Sequence, residues 1–254
     1  MKNLFVILFT CFTLFSFSQD ENLTDAQGKK QGLWKKYHDN GMIRYKGNFK
    51  DDQPIGEFIY FYDTGKLQVK MTHFGAVSYA NVYYETGELK AAGKYENQLK
   101  DSVWSYYSTD GFKMADEFYI NGKREGSWKV YYSNGQVTEE KEYTNDFENG
   151  IWKQYFIDGK EKLAATYVNG ELEGRATYYD SNGKKVVSGT FIRGARDGFW
   201  TFYAQDGTTV RKKEEYKNGV RVDANKDDNI IDMEGIKYIP ENEAFPEELV
   251  NPKY

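Results

Sequence analysis

The chain has little cysteine, histidine and proline. Its 254 residues include one cysteine, Cys11, two histidines and four prolines. Cys11 lies in an apolar stretch near the N-terminus, so no thiol occurs in the rest of the chain. A disulfide, a thiolate zinc site and a cysteine nucleophile are therefore excluded there. The histidines, His38 and His73, occupy unrelated positions and show no paired metal-ligand spacing.

Excess positive charge and catalytic motifs are also missing. The formal net charge of -5 provides no global basic field, so we expect no nucleic-acid partner. No Gly-x-Ser-x-Gly elbow and no phosphate-binding glycine loop occur in the chain. We therefore predict a protein that is not an enzyme, with no catalytic residues and no required cofactor.

Residues 1–18 have the pattern of a secretory signal peptide. A short positive start, Met1–Asn3, precedes the almost wholly apolar run Leu4–Phe17, and small residues stand before Gln19. This predicts export to a periplasmic, envelope-associated or secreted location. A buried strand or an N-terminal anchor is the alternative interpretation. No later segment is long and apolar enough to cross a bilayer, so we expect no transmembrane segment in the mature chain.

Aromatic residues and glycine are abundant and recur at a fixed period. The chain has 22 Tyr, 17 Phe, 5 Trp and 24 Gly. Each unit starts at a glycine or serine, with spacings of 24, 22, 24, 24, 24, 24 and 24 residues: Gly32, Gly56, Ser78, Ser102, Gly126, Gly150, Gly174 and Gly198. Two residues later stands the tryptophan column, which contains every tryptophan of the chain: Trp34, Phe58, Ala80, Trp104, Trp128, Trp152, Ala176 and Trp200.

Two further positions keep the same register. Five residues after each start stands the tyrosine column: Tyr37, Phe61, Tyr83, Tyr107, Tyr131, Tyr155, Tyr179 and Tyr203. Nine residues after each start comes a glycine that follows Asn, Asp or Thr, as in Asn40-Gly41. A period of this length indicates a repeat architecture. We assign residues 19–220 to an eight-unit repeat domain.

Each unit is predicted to be a β-hairpin. Asn-Gly between β-rich runs favours a two-residue type I′ turn with positive φ at both residues. Further Asn-Gly pairs, such as Asn121-Gly122, predict a second turn that joins one hairpin to the next. The junction between the second and third units is two residues shorter, so we expect a tighter connection near Gly75.

These turns predict the cross-strand neighbours. The tryptophan-column positions should face Gly47, Gly93, Glu117, Lys141, Ala165, Gly189 and Lys213. A second aromatic column should follow on the return strands: Phe49, Phe74, Tyr95, Tyr119, Tyr143, Tyr167, Phe191 and Tyr216. The fold class is therefore all-β, an elongated twisted antiparallel meander of about eight tandem β-hairpin repeats. Because the tryptophan and tyrosine columns point to opposite faces, we expect no single core side.

The units resemble a known family. The fifth unit shows the pattern most completely, with Tyr119-x-Asn121-Gly122, then Gly126-x-Trp128, then Tyr131-Tyr132-x-x-Gly135. This resembles the MORN-repeat variant of bacterial YwqK-type antitoxin-like proteins, and the resemblance covers roughly residues 27 to 219. It implies a β-hairpin repeat array used for binding rather than for catalysis. Related MORN arrays are linked to membrane lipids and to protein partners.

The tyrosine column provides the candidate binding residues. Tyrosine supplies large, rigid contact area at protein interfaces. We predict an exported scaffold that binds a protein or peptide partner, which the sequence does not identify, through Tyr83, Tyr107, Tyr131, Tyr155, Tyr179 and Tyr203. The alternative is an envelope protein that binds a carbohydrate or a lipid surface. Both aromatic columns could instead hold neighbouring hairpins together, and for the tryptophan column, whose rings face small residues, that packing role is favoured.

The segment 221–254 is an acidic C-terminal tail. It has nine acidic and four basic residues, which accounts for the whole net charge of -5, and it contains three of the four prolines. Part of it fits a calcium-loop template with five side-chain ligands: Asp223, Asn225, Asp227, Asn229 and Glu234. The template's sixth position is Asp228 rather than glycine, so a solvated linker without calcium remains the alternative.

Overall fold

The computed structural model describes residues 20–222. Within this range the chain forms strands and turns, and no helix there could span a membrane. The predicted signal peptide and the predicted calcium ligands Asp223, Asn225, Asp227, Asn229 and Glu234 lie outside the described residues.

Twenty strands follow one another along the described chain. They are β1 (Leu23–Thr24), β2 (Lys30–Tyr37), β3 (Ile43–Lys50), β4 (Gln53–Phe61), β5 (Leu67–Phe74), β6 (Val77–Tyr83), β7 (Leu89–Glu96), β8 (Leu99–Tyr107), β9 (Lys113–Ile120), β10 (Lys123–Arg124), β11 (Gly126–Tyr131), β12 (Val137–Thr144), β13 (Phe147–Tyr155), β14 (Glu161–Val168), β15 (Glu171–Leu172), β16 (Gly174–Tyr179), β17 (Lys185–Ile192), β18 (Ala195–Tyr203), β19 (Val210–Lys217) and β20 (Val220–Arg221).

The strands form one open antiparallel meander in chain order. β2 pairs with β3, β3 with β4, and so on to β19. β9 pairs with both β10 and β11, and β14 pairs with both β15 and β16, because a bulge interrupts the partner strand in each case. The two-residue strands β1 and β20 pair with β2 and β19 at the two ends. The predicted all-β hairpin array is confirmed.

The two turns of each unit have different conformations. In the first hairpin Gly41 N–H donates to the His38 carbonyl over 2.9 Å, and φ is +83° at Gly41 but not positive at Asn40. This is a type I turn closed by a glycine bulge, so the predicted type I′ turn is wrong here. The second turn does have positive φ at both residues, with +50° at Asn121 and +80° at Gly122.

The predicted register nevertheless holds in all but the last unit. The turn has one more loop residue than predicted, and a one-residue bulge next to Tyr37 compensates, so Trp34 still pairs with Gly47. In the last hairpin the loop is one residue longer, since Ala204 N–H donates to the Thr209 carbonyl. Trp200 therefore pairs with Glu214 rather than with the predicted Lys213.

In most units the residue that starts the unit lies in a bulge. Between β7 and β8, Lys94 pairs with Asp101 and Ala92 with Ser105, so three residues of β8 stand opposite one residue of β7. The start residue Ser102 has φ of +61°, a conformation that most other units give to glycine. β5 and β6 pair without a bulge, and the Gly75–Ala76 turn has two residues like the other second turns. The two missing residues are therefore the bulge, and the expected tighter connection is wrong.

The hydrophobic core lies on one face of the sheet. We call it the tryptophan face, because it carries the tryptophan column, and we call the opposite face, which carries the tyrosine column, the tyrosine face. One buried cluster spans β4 to β9 around Trp104, and a second spans β13 to β18 around Trp200. Both clusters use alternate residues on the tryptophan face. The expectation that the sheet would have no single core side is wrong.

Candidate functional site

Tryptophan-column rings cover glycines in the preceding strand. Trp104 is fully buried, and a Cβ added to Gly93 would come within 2.3 Å of its indole. Trp200 lies over Gly189 in the same way. Gly47 pairs in register with Trp34, as predicted, but the ring that covers it belongs to Phe58 in the next strand.

The sizes of the two residues are complementary in four of these contacts. Large rings follow glycine in three contacts, Gly47–Phe58, Gly93–Trp104 and Gly189–Trp200. The order of sizes is reversed in Met71–Ala80, while Ala165–Ala176 joins two small residues, and all four residues are buried. Lys141 pairs with Trp152, so a long side chain and a ring also meet at this position. Close-packed interiors favour the exchange of volume that the three glycine contacts and Met71–Ala80 show.

Cations cover the outer side of the same rings. The Lys100 ammonium lies 5.1 Å from the Trp104 ring centroid, and the Arg196 guanidinium lies 4.5 Å from that of Trp200. In the sixth unit the equivalent residue is Glu148, and Lys141 supplies the cation instead: it bonds to Glu148 over 2.9 Å and lies 5.8 Å from the Trp152 ring centroid. Backbone and side chains of the same chain therefore cover the rings of Trp104 and Trp200, which supports the packing interpretation of the tryptophan column.

His73 takes the place of one aromatic ring in the second column. Gly56 pairs with His73, whereas the predicted column residue Phe74 points to the tyrosine face and is 66% exposed. The sequence prediction for Phe74 is therefore wrong. The His73 ring packs edge-on against Phe58 at 5.0 Å, and its Nδ1 lies 2.8 Å from Ser78 Oγ. Its Nε2 is buried without a hydrogen-bond partner, and burial lowers the pKa of His73 below its usual value.

This burial makes stability depend on pH. The unfolded chain binds a proton to His73 near pH 6.5, while the folded chain resists it, so stability is lost as the pH falls below that value. Between pH 7.5 and 5.5 the loss attributable to His73 should reach at most about 1.4 kcal/mol. His73→Phe should remove this component from urea unfolding curves measured at both pH values.

The matched control is the other histidine. His38 Nε2 bonds to the Phe61 carbonyl over 3.0 Å, a contact that the Tyr84 hydroxyl makes with the Tyr107 carbonyl two units later. His38→Tyr should therefore fold normally, and its unfolding curves at the same two pH values show what replacing a histidine outside the core does. Equal pH dependence in the wild type and in His73→Phe would contradict the role assigned to His73.

The tyrosine column forms a half-buried row on the tyrosine face. Its candidate binding residues share intermediate exposure: Tyr83, Tyr107, Tyr131, Tyr155, Tyr179 and Tyr203. The Tyr131 hydroxyl donates to Asp116 over 2.8 Å, and burial followed by this carboxylate raises the pKa of Tyr131 to about 12. The Tyr203 hydroxyl lies 3.1 Å from Ser188 Oγ. These rings are partly engaged in packing and keep part of their surface open to a partner.

A more exposed apolar row runs beside the tyrosine column. In four of the eight units the residue that follows the unit start is apolar and exposed: Tyr79, Val103, Ile151 and Phe199 are 55%, 49%, 39% and 62% exposed. They share the tyrosine face, because each precedes a residue of the tryptophan column. The sequence analysis missed this row, although its constant position in the repeat was a usable signal.

A shallow depression opens on the tyrosine face near the last two hairpins. It has a volume of about 240 Å³ and is lined by Arg175, Ser188, Gly189, Thr190, Phe199, Thr201 and Tyr203. Hydroxyl groups and one guanidinium therefore surround an exposed aromatic ring. Within residues 20–222 no cluster of three or more histidine, cysteine, aspartate or glutamate side chains could hold a metal ion.

Comparison with known proteins agrees with this repeat geometry. The family model described as "MORN repeat variant" matches four segments, residues 30–51, 54–74, 124–145 and 172–192. The first two matches cover the hairpins β2–β3 and β4–β5, and the other two cover β10–β12 and β15–β17. No curated protein matches the chain significantly. The four hairpins that the model does not match pair in the same way as those it does. The four matched segments are therefore MORN repeat variants, and the unmatched hairpins share their strand pairing.

Proposed function

We propose that the protein is a non-catalytic scaffold that binds a protein or peptide partner with the tyrosine face. The observation that carries this proposal is the exposed apolar row of Tyr79, Val103, Ile151 and Phe199 beside the half-buried tyrosine column. These four side chains lie on one face with other strands between them, so they offer separate apolar contact points to an extended partner. Aromatic side chains are also enriched at protein interfaces.

The tryptophan face is a poorer candidate for this role. Glycine backbone and the cations Lys100 and Arg196 cover the rings of Trp104 and Trp200. Arg124 and Lys141 lie against the rings of Trp128 and Trp152. A partner would have to displace these contacts before it reached an indole. Binding at the tyrosine face requires no such rearrangement.

Site-specific photo-crosslinking tests the proposal. A photoreactive phenylalanine analogue placed at Val103 or Phe199 should crosslink a partner from extracts of the source cells. The control is Phe112, which is 48% exposed, close to the 49% of Val103, but lies in a hairpin loop. The same crosslinked species at all three positions, or none at Val103 and Phe199, would contradict the proposal.

A carbohydrate partner is the second candidate, and the depression at Phe199 favours it. An exposed ring can stack on a sugar, while Ser188, Thr201 and Arg175 offer hydrogen bonds around it. A glycan array with the wild type and Phe199→Ala tests this candidate. Glycan binding that Phe199→Ala abolishes would support it, and the absence of glycan binding would leave the protein partner as the better explanation.

The cellular location belongs to the same proposal. The signal-peptide pattern of residues 1–18 supports a scaffold that acts outside the cytoplasm. Fractionation of the source cells tests this, since recovery of the full-length chain in the cytoplasm alone would contradict export.

A further inference from the structure

Four charged residues alternate in sign along the middle of the tyrosine face. They are Asp116 in β9, Lys129 in β11, Glu140 in β12 and Lys153 in β13, and we call them the charge quartet. Asp116 pairs in register with Lys129, Lys129 with Glu140, and Glu140 with Lys153. Paired residues of adjacent strands point to the same face, so the four side chains form one row across four neighbouring strands.

The charge quartet is part of a longer row of paired residues across the sheet, and the two nearest residues at each end of the quartet are uncharged. On one side Asp116 is followed by Ser105 and Ala92, and on the other Lys153 is followed by Ala164 and Thr177. Neutral residues therefore flank the alternating charges at both ends. The quartet is a distinct block and not part of a general alternation along the sheet.

We propose that two copies of the chain pack tyrosine face to tyrosine face across the charge quartet. This rests on the proposed function, because it names a second copy as a partner of the same face. A two-fold axis that runs along the strands between β11 and β12 reverses the order of the row. Lys129 of one copy then lies opposite Glu140 of the other, and Asp116 lies opposite Lys153, so every charge meets its opposite.

The same axis also brings together the residues on either side of the quartet, both toward the first turns of the hairpins and toward the second turns. On the first-turn side Tyr131 lies opposite Val137 of the other copy, and Tyr155 lies opposite Lys113. The first is an apolar contact, and the second places a cation against a ring, as Lys113 already does with Tyr131 within one chain at 5.7 Å. On the other side Ile151, which is 39% exposed, lies opposite Phe118 of the second copy.

The charges of the quartet are accessible enough to make these contacts. The side chains of Lys129 and Lys153 are 39% and 33% exposed, and that of Glu140 is 21% exposed. Within one chain Lys129 lies 3.4 Å from Glu140, and Lys113 lies 2.9 Å from Asp116. In the dimer each residue of the quartet also faces an opposite charge of the second copy, while the contacts within one chain are kept.

The size of this surface predicts a weak association. Three rows across four strands give about twelve residues per copy, fewer than the roughly 20–30 of a standard interface. We therefore expect a dimer with a dissociation constant in the micromolar range. The association should weaken in 1 M salt, because exposed charges are screened.

Charge reversal in separate copies tests the two-fold arrangement. One variant carries Lys129→Glu and Lys153→Glu, so its quartet is wholly acidic, and the other carries Asp116→Lys and Glu140→Lys, so its quartet is wholly basic. Sedimentation at 10–200 μM should show a dimer for the wild type, monomers for each variant alone, and a 1:1 dimer when the variants are mixed. Each variant alone should bind itself at least tenfold more weakly than the wild type does.

Milder variants keep the test decisive if four like charges unfold the sheet. The single changes Lys129→Glu and Glu140→Lys should show the same loss alone and the same recovery on mixing, with smaller amplitude. Lys46→Glu, in the same row but outside the quartet, should dimerise as the wild type does. A monomeric wild type at 200 μM, or variants that dimerise alone, would overturn the proposal. In either case the crosslinks at Val103 and Phe199 decide separately whether the face binds another protein.

Discussion

Trp104→Ala is expected to lower the free energy of unfolding by about 3–5 kcal/mol, the range for large aromatic residues in protein cores. Trp104 is fully buried, and its Nε1 donates to the Lys94 carbonyl over 2.9 Å. Its ring also packs against Tyr95 at 4.9 Å and carries Lys100 on its outer side. Removal of the indole leaves a cavity over Gly93, and all of these contacts are lost together.

Urea unfolding followed by circular dichroism measures the effect. Repeat arrays are stabilised mainly by contacts between neighbours, so hydrogen exchange of the amides in β7 to β9 should show the largest local loss of protection. The matched control is Trp34→Ala, since Trp34 occupies the same repeat position in the first hairpin and is only partly buried. Equal losses for Trp34→Ala and Trp104→Ala would contradict the importance assigned to the contact with Gly93.

Gly93→Ala is expected to be the second most damaging single change, although it adds only one methyl group. The new Cβ would stand 2.3 Å from the Trp104 ring, with the strand backbone on its other side. Overpacking of this kind costs about 1–3 kcal/mol, and we expect the upper end because the ring is enclosed. The φ angle of Gly93 is not positive, so backbone strain does not contribute to the expected loss.

A double-mutant cycle separates this contact from other effects. In the Trp104→Ala background Gly93→Ala should cost close to nothing, because Ala165 and Ala176 form the same small–small pair two repeats from the C-terminal end of the array. The expected coupling energy is at least about 1 kcal/mol, which a cycle resolves. Additive losses in the double variant would show that the ring does not lie on Gly93. Ala165→Gly, at the equivalent position, serves as a control for glycine in this strand.

Much of the fold could be predicted from particular residues. The fixed spacing of Asn40-Gly41 and its equivalents predicted eight hairpins, and the pairing of Trp34 with Gly47 followed from it. The turn type was wrong because Asn-Gly also fits the last two loop residues of a three-residue turn, in which only the glycine needs positive φ. Phe74 was misplaced because the bulge is absent between β5 and β6, which brings His73 into the aromatic column.

The candidate site was predicted only in part. The tyrosine column was identified by its spacing, and the structure places it on the face opposite the core. The exposed apolar residues at Val103 and Phe199 were missed, because each stands next to a tryptophan in the sequence. Only the structure shows that the tryptophan is buried and that its neighbour lies on the opposite face. The charge quartet was invisible as well, since its members lie 11 to 13 residues apart along the chain.

The positions of glycine, asparagine and aromatic residues are enough to specify a single meander of hairpins, because turn chemistry and side-chain alternation are properties of short segments. The choice of core face, the ring that covers each glycine and the order of charges across strands arise only when the hairpins pair with one another. Each bulge at a unit start inserts two residues, which keeps every side chain on its face but changes the neighbour that it meets. The pairing of whole strands sets these neighbours, so the sequence of one strand alone does not identify them.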